Sequence, residues 1–221
     1  MNTMTPAECR RAIVRNAHVP NAPLPSPPRR AYAMAMPAPA ARSDWTADEI
    51  NTLPDDGNRY EVVNGELLVT PAPSDDHQEA VGELLVRMRA YVIAASMQIL
   101  VAPSAVRFSS RREVQPDLLV LPLVNGKRAR SFREVGRLEL AVEILSPSTA
   151  RADRYEKREL YQSERVPEYW IIDLASRLVE RWRPTDTAPD VFLESLTWLP
   201  RDDVAPLVID LVDYFRWVHG E

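Results

Sequence analysis

Leu138-Glu139-Leu140-Ala141-Val142-Glu143-Ile144-Leu145 is a strand-length apolar run with a carboxylate deep inside it. A short run of this kind, rich in Leu, Val and Ile, predicts a buried β-strand. Alternation along a strand puts Glu143 on one face with Glu139, Ala141 and Leu145. Leu138, Leu140, Val142 and Ile144 take the other. An ionised carboxylate in such surroundings is costly unless it is paired or bound to a metal. Glu143 therefore needs a partner, and the search for one organises the rest of the chain.

Upstream, Pro116-Asp117 opens a second apolar strand, Asp117–Leu121. If the two strands are neighbours, Asp117 and Glu143 converge, and two carboxylates held together call for a cation between or beside them. Downstream, Lys157 lies on the helix expected over about Thr149–Glu164. It is one of only two lysines among 27 basic residues, the other being Lys127. Lysine carries a compact, hydrated charge whose pKa responds to burial, which arginine does not offer. Steps of seven and eleven from Ala150 place Lys157 and Tyr161 on one helical stripe, facing the sheet beside Leu160. Two carboxylates and an ammonium suit metal-assisted phosphodiester hydrolysis. The plain alternative is a structural ion-pair cluster, including an i, i+4 pair of Lys157 with Asp153.

The remaining pattern predicts a mixed α/β fold around one central sheet. Thr46-Ala47-Asp48-Glu49 reads as a capping box for a short helix ending near Leu53-Pro54. Arg59–Val69 reads as a hairpin turning at Asn64-Gly65. Ser74 and Asp75 can cap a longer helix bearing Val81, Leu84, Leu85, Met88, Tyr91, Val92 and Ala95, with His77 on the same inward face. Further strands are expected at Ile99–Phe108, Tyr169–Asp173 and Leu178–Arg183, and a closing segment at Leu207–Val218. Trp170 and Trp182 should pack the core or a subunit interface. Glu66 is expected to be exposed.

Residues 1–43 hold eight of the 20 prolines and no apolar periodicity, and they are expected to be a disordered tail, or the product of a start codon placed upstream of Met34 or Met36. Residues 44–221 are expected to form one domain. The tail contains the single cysteine, Cys9, so no intramolecular disulfide is possible. With His18, His77 and His219 as the only histidines, a zinc site of nitrogen and sulfur ligands is disfavoured. A metal here should be a hard cation held by oxygens, Mg²⁺ or else Mn²⁺. No apolar run reaches the roughly 20 residues of a membrane span, and no secretory h-region is present, so a cytoplasmic protein is expected.

The net charge of −5 conceals a division: residues 1–43 carry six arginines against Glu8, leaving −10 for the rest. An acidic body is a poor nonspecific binder of nucleic acid. A local basic path between Arg107 and Arg137, with eight cations and three acids, is compatible with backbone contacts or with a solvated edge.

Gln115-Pro116-Asp117, the run Ala141–Thr149, the lysine and tyrosine of the next helix, and Val166-Pro167-Glu168-Tyr169-Trp170-Ile171-Ile172-Asp173 resemble the Uma-two family. That family is grouped with restriction endonucleases in the PD-(D/E)xK superfamily. The resemblance extends upstream to Tyr60–Glu66 and His77 and spans roughly residues 44–218. It implies a restriction-endonuclease-like core, a mixed central sheet flanked by helices, with an N-terminal hairpin. It implies Asp117 and Glu143 as metal ligands, joined by the carbonyl of Ile144, Lys157 as the catalytic lysine and Glu61 as an accessory acid. Two departures stand out. The superfamily's lysine lies two residues after the glutamate, where this chain has Leu145. Arg165 stands where the family has glycine, at a cost of roughly 1–2 kcal/mol if that turn is left-handed.

The expected function is a Mg²⁺-dependent DNA endonuclease, with a homodimer plausible because two strands need two cuts. His77 reads either as a capping or core histidine or, beside Glu61, as a support to the metal ligands or a contact to substrate phosphate. The alternative is a non-catalytic homodimeric or partner-binding module on the same fold. An enzyme acting on RNA or a nucleotide is a third reading.

Overall fold

A computed structural model describes residues 42–221. The expectations for the tail up to Ala41, including Cys9 and the alternative starts, lie outside the described residues. Arg42 and Ser43, assigned to the tail by sequence, are already engaged with the fold: Arg42 pairs with Glu49 at 2.6 Å, and the Ser43 carbonyl accepts from Arg111.

The capping box forms as expected, with Thr46 and Glu49 bonding reciprocally, but it starts only a four-residue helix, α1 (Ala47–Ile50). The hairpin follows as β1 (Arg59–Val63) and β2 (Glu66–Thr70). Its turn residues Asn64 and Gly65 both have positive φ, 53° and 90°, the backbone a two-residue hairpin turn requires. Ser74 caps α2 (Asp75–Ala94), whose buried residues include His77, Ala80, Leu84, Met88 and Val92.

The strand expected over Ile99–Phe108 is two strands in two different sheets. β3 (Met97–Val101) ends before Ala102-Pro103, and β4 (Val106–Ser109) begins a new direction. A proline lacks the N–H that a continuous ladder would need. β5 (Arg112–Val114) was hidden in the basic stretch. β6 (Leu118–Pro122), α3 (Phe132–Val135) and β7 (Leu140–Ile144) follow. Leu138 precedes β7 and packs on the side of Leu119 and Ala141, opposite to the face its parity suggested.

The helix expected over Thr149–Glu164 is not uniform. It comprises α4 (Ala150–Ala152), a wider π-helical turn (Asp153–Lys157) and α5 (Arg158–Ser163). The buried stripe is accordingly Asp153, Lys157, Leu160 and Tyr161, anchored on Asp153 rather than on the half-buried Ala150. β8 (Tyr169–Asp173), β9 (Leu178–Trp182), β10 (Asp190–Phe192) and β11 (Ser195–Trp198) come next. The closing segment divides into β12 (Leu207–Asp210) and α6 (Leu211–Val218), capped by Asp210.

Three sheets result. The central one has six strands in the order β10-β9-β8-β7-β6-β3; it is mixed, with β7 and β8 parallel and the other neighbours antiparallel. A four-stranded sheet runs β2-β1-β5-β4, and β11 pairs with β12. One face of the central sheet, with Val120, Val142, Ile144 and Trp170, packs under α2 and α6. The other, with Leu119, Ala141, Tyr169 and Ile171, packs against α5 and against Val63, Val106 and Val114 of the smaller sheet. Trp170 and Trp182 are both core residues, and Glu66 is exposed, as expected. Arg165 has φ 54°, so the left-handed turn is present with arginine in it.

Candidate active site

The chain leaves the smaller sheet at β5 and enters the central one at β6 through Gln115-Pro116-Asp117, so Asp117 sits at the junction of the two. In β6 and β7, Leu118 faces Val142 and Leu119 faces Ala141. One further antiparallel step sets Asp117 opposite Glu143. Directly opposed residues share a face with Cβ atoms about 5 Å apart, so the register brings the two carboxylates together. On β1 the same period-two rule turns Arg59, Glu61 and Val63 toward the central sheet, and Glu61 is fully buried.

Lys157 closes the arrangement from the π-helical turn. Its Nζ lies 2.9 Å from Glu61, 3.0 Å from Glu143 and 3.4 Å from Asp153. Tyr161 donates its hydroxyl to the same Glu143 oxygen at 3.2 Å. Glu61 is fixed at its other oxygen by the Gln115 N–H at 2.7 Å. Lys157 is 2% exposed, Glu143 2% and Asp153 1%. The i, i+4 contact with Asp153 therefore belongs to the buried cluster, not to a solvated face.

Asp117 is held separately. Arg59 donates to one carboxylate oxygen at 3.0 Å, while the other lies 3.0 Å from His77 Nε2 and accepts the Ile144 N–H at 2.9 Å. His77 does not cap its helix; Ser74 does, its Oγ accepting the His77 N–H at 3.3 Å, while the buried His77 ring meets Asp117 and not Glu61.

Electrostatics divide the carboxylates into two kinds. Burial works against the Asp117 anion, but the His77 and Arg59 interactions and the Ile144 N–H overcome it, holding that carboxyl down at about 2. Burial dominates at Glu143 and raises its carboxyl well above the usual range; Lys157 opposes this, and Asp153, Asp117 and Glu61 add to it. Asp153 is raised by burial in the same way, against Lys157 and a Thr149 hydrogen bond. Burial alone would lower the Lys157 ammonium, yet Glu143, Glu61 and Asp153 together raise it well above its ordinary value.

Four buried carboxylates thus face two permanent cations, Lys157 and Arg59, beside one histidine. The excess of negative charge and the all-oxygen donor set fit a hard divalent cation. Among the described residues no group of three or more His, Cys, Asp or Glu side chains is arranged to enclose a metal unaided. Mg²⁺ does not need such a cage, because it takes one or two carboxylates and keeps waters or phosphate for its other positions.

Sequence reasoning missed Arg59 and cast Asp153 as a surface partner. Arg59 lay two residues before Glu61, on the same strand face, a signal lost among the many arginines. The basic path is dispersed. Arg107 pairs with Asp48, Arg112 with Glu164 and Arg137 with Glu139, whereas Lys127, Arg128 and Arg130 stand exposed before α3 and Arg133 stands exposed within it. Among the described residues no helix is long and apolar enough to cross a membrane.

The family model described as "Uma2: Putative restriction endonuclease" matches residues 47–211. Among solved structures, the chain is similar to a protein from Anabaena variabilis ATCC 29413 described as a putative nuclease belonging to DUF820. The TM-score is 0.63 at 21% identity, over 78% of this chain and 98% of that one. No curated protein matches the chain. At that identity the structural likeness speaks for the fold.

Proposed function

Because the chain belongs to the Uma2 putative restriction endonuclease family, we propose that it is a divalent-metal-dependent DNA endonuclease, hydrolysing phosphodiester bonds in the recess bordered by Asp117, Glu143 and Lys157. The observation that carries this reading is the convergence of the three. Asp117 opposes Glu143 across the β6–β7 ladder, and Lys157 Nζ lies 3.0 Å from Glu143 although its helix replaces the strand position filled by Leu145.

In this reading Asp117, Glu143 and the Ile144 carbonyl hold Mg²⁺, or Mn²⁺ in its place. The bound ion supplies a Lewis acid that lowers the pKa of a water and offsets charge on the phosphate. The chain's own groups do the rest. Arg59, His77 and the Ile144 N–H keep Asp117 ionised and oriented. Tyr161 and Lys157 fix one oxygen of Glu143, and Lys157 stands ready to orient the nucleophile or balance charge on phosphate. Glu61 acts as the accessory acid that anchors Lys157, as does Asp153.

A second reading has its own support. Lys157 is engaged by three carboxylates, as in a structural ion-pair cluster, which suits a non-catalytic partner-binding module. One titration separates the two. Following thermal unfolding with Mg²⁺ and Mn²⁺, wild type should gain about 2.7 kcal/mol at a hundredfold excess over Kd, and Glu143→Ala should gain little. Stabilisation of neither protein would leave the module standing. Cleavage of plasmid and of single-stranded DNA should fall at least a hundredfold in Lys157→Ala and remain impaired in Lys157→Arg, whose fork cannot act as a compact charge.

A further inference from the structure

Two hollows meet at Asp117. The smaller, of about 190 Å³, is lined by Asp117, Glu143 and Lys157. The larger, of about 510 Å³, has no part in the chemistry above, yet it shares Arg59, His77 and Asp117 with its neighbour. Its size falls within the roughly 300–1,000 Å³ of small-molecule sites.

Arg59 is only half used by the fold. Its Nη1 donates to the Gln115 carbonyl at 2.6 Å and to Asp117 at 3.0 Å. Its Nε and Nη2 make no hydrogen bond among the described residues, and the side chain keeps 17% of its surface. Those two N–H groups form one edge of the planar fork, the edge that matches two oxygens of a phosphate. Pinning the opposite side to backbone and carboxylate fixes that edge in advance, so little entropy is lost when it binds.

The wall of the larger cavity is equally preset. Pro54, Pro71, Pro73 and Pro103 line it, and proline fixes its own φ. Val81 and Val101 add apolar surface, while Asn58 and Gln78 bring amides that both donate and accept. This mixture suits the faces and edges of a nucleobase. Asp55, an exposed residue of the same lining, disfavours an anion beside it and leaves Arg59 as the place for phosphate. With residues 44–221 at a net −10, holding a strand at one built pocket is favoured over spreading contacts along a duplex.

We propose that Arg59 grips the phosphate next to the scissile one through its Nε–Nη2 edge, and that the 510 Å³ cavity takes the unpaired nucleoside attached to it. The substrate class is then a strand with an unpaired nucleotide beside the cut, since a base within a duplex must leave its stack to enter such a pocket. That the neighbouring phosphate is the one cut rests on the nuclease reading; the pocket and its ligand do not.

The test is a calorimetric titration of the full chain in chelator, with the four deoxynucleoside 5′-monophosphates, deoxyribose 5-phosphate and inorganic phosphate as probes. At least one nucleotide should bind about tenfold or more tightly than deoxyribose 5-phosphate. Arg59→Ala and Arg59→Lys should each weaken nucleotide binding by about tenfold. Ala72→Trp, at the cavity's exposed rim, should abolish the nucleoside advantage. If Arg59→Ala fails to fold, Arg59→Lys and Ala72→Trp decide the matter. Equal affinity for nucleotide and phosphate, or unchanged binding in Arg59→Lys, overturns the proposal. Nucleotide binding without metal stabilisation keeps the cavity and sinks the nuclease; metal stabilisation without nucleotide binding does the reverse.

Discussion

Replacing Lys157 with methionine removes one charge and keeps most of the volume, so it isolates what the ammonium does. In the native protein that group touches Glu61, Glu143 and Asp153 within 3.4 Å, all three buried. Deleting one partner of a buried ion pair typically costs about 3–5 kcal/mol, because the other charge is left uncompensated. Here relief is available through protonation. The Glu143 and Asp153 carboxyls are already raised by burial and by each other, and losing Lys157 raises them further. A carboxyl whose folded pKa exceeds its unfolded value binds its proton more tightly in the native state. Stability then falls as pH rises from the unfolded pKa to the folded one, by up to about 1.4 kcal/mol per pH unit for each group. Lys157→Met should therefore lose at least about 3 kcal/mol at pH 8 and markedly less at pH 5. The wild-type ammonium, its pKa raised, contributes fully across that range. Urea unfolding at several pH values, read by tryptophan fluorescence, gives both numbers. A loss under about 1 kcal/mol, or one that is equal at pH 5 and pH 8, would refute the idea that Lys157 neutralises this cluster.

Asp117 should have the opposite signature. Its carboxyl is depressed from 3.8 to about 2, so it contributes stability above pH 4 that is lost as pH falls toward 2. Acid unfolding of Asp117→Asn should lack a component of about 2 kcal/mol present in wild type. Arg165→Gly should raise Tm by about 1–3 °C in a calorimetric scan, because glycine relieves the φ of 54° at a smaller entropic cost in the unfolded chain; a lower Tm would show that the arginine side chain outweighs its backbone strain.

The parts of the fold governed by local rules were legible. The capping box at Thr46, the Asn64-Gly65 turn and the Ser74 cap each satisfy backbone groups within a few residues, and each formed. The apolar strand around Glu143 announced its burial because nothing else explains a carboxylate there. What the chain concealed depends on distant partners. Pro103 split one apparent strand between two sheets, and β5 looked like a charged loop because its pairing with β1 and β4 offsets its polarity. The wide turn at Asp153–Lys157 has no local signal, so the stripe was anchored three residues too early. Arg59 was invisible for a different reason: its meaning comes from Asp117, 58 positions away. Asp117, Glu143 and Lys157 could be gathered from sequence because each breaks a compositional pattern.

The ion cluster also orders events in time. Its carboxylates come from β1, the β5–β6 junction, β7 and the π-helical turn, and Lys157 is the last of its charged residues to be synthesised, after Glu61, Asp117, Glu143 and Asp153. Until Lys157 emerges, Arg59 is the one permanent cation that this site has for its four carboxylates. A message truncated anywhere upstream of that codon therefore yields a polypeptide unable to assemble the recess. Whatever the recess binds, that binding is thereby withheld until synthesis has reached the helix between β7 and β8.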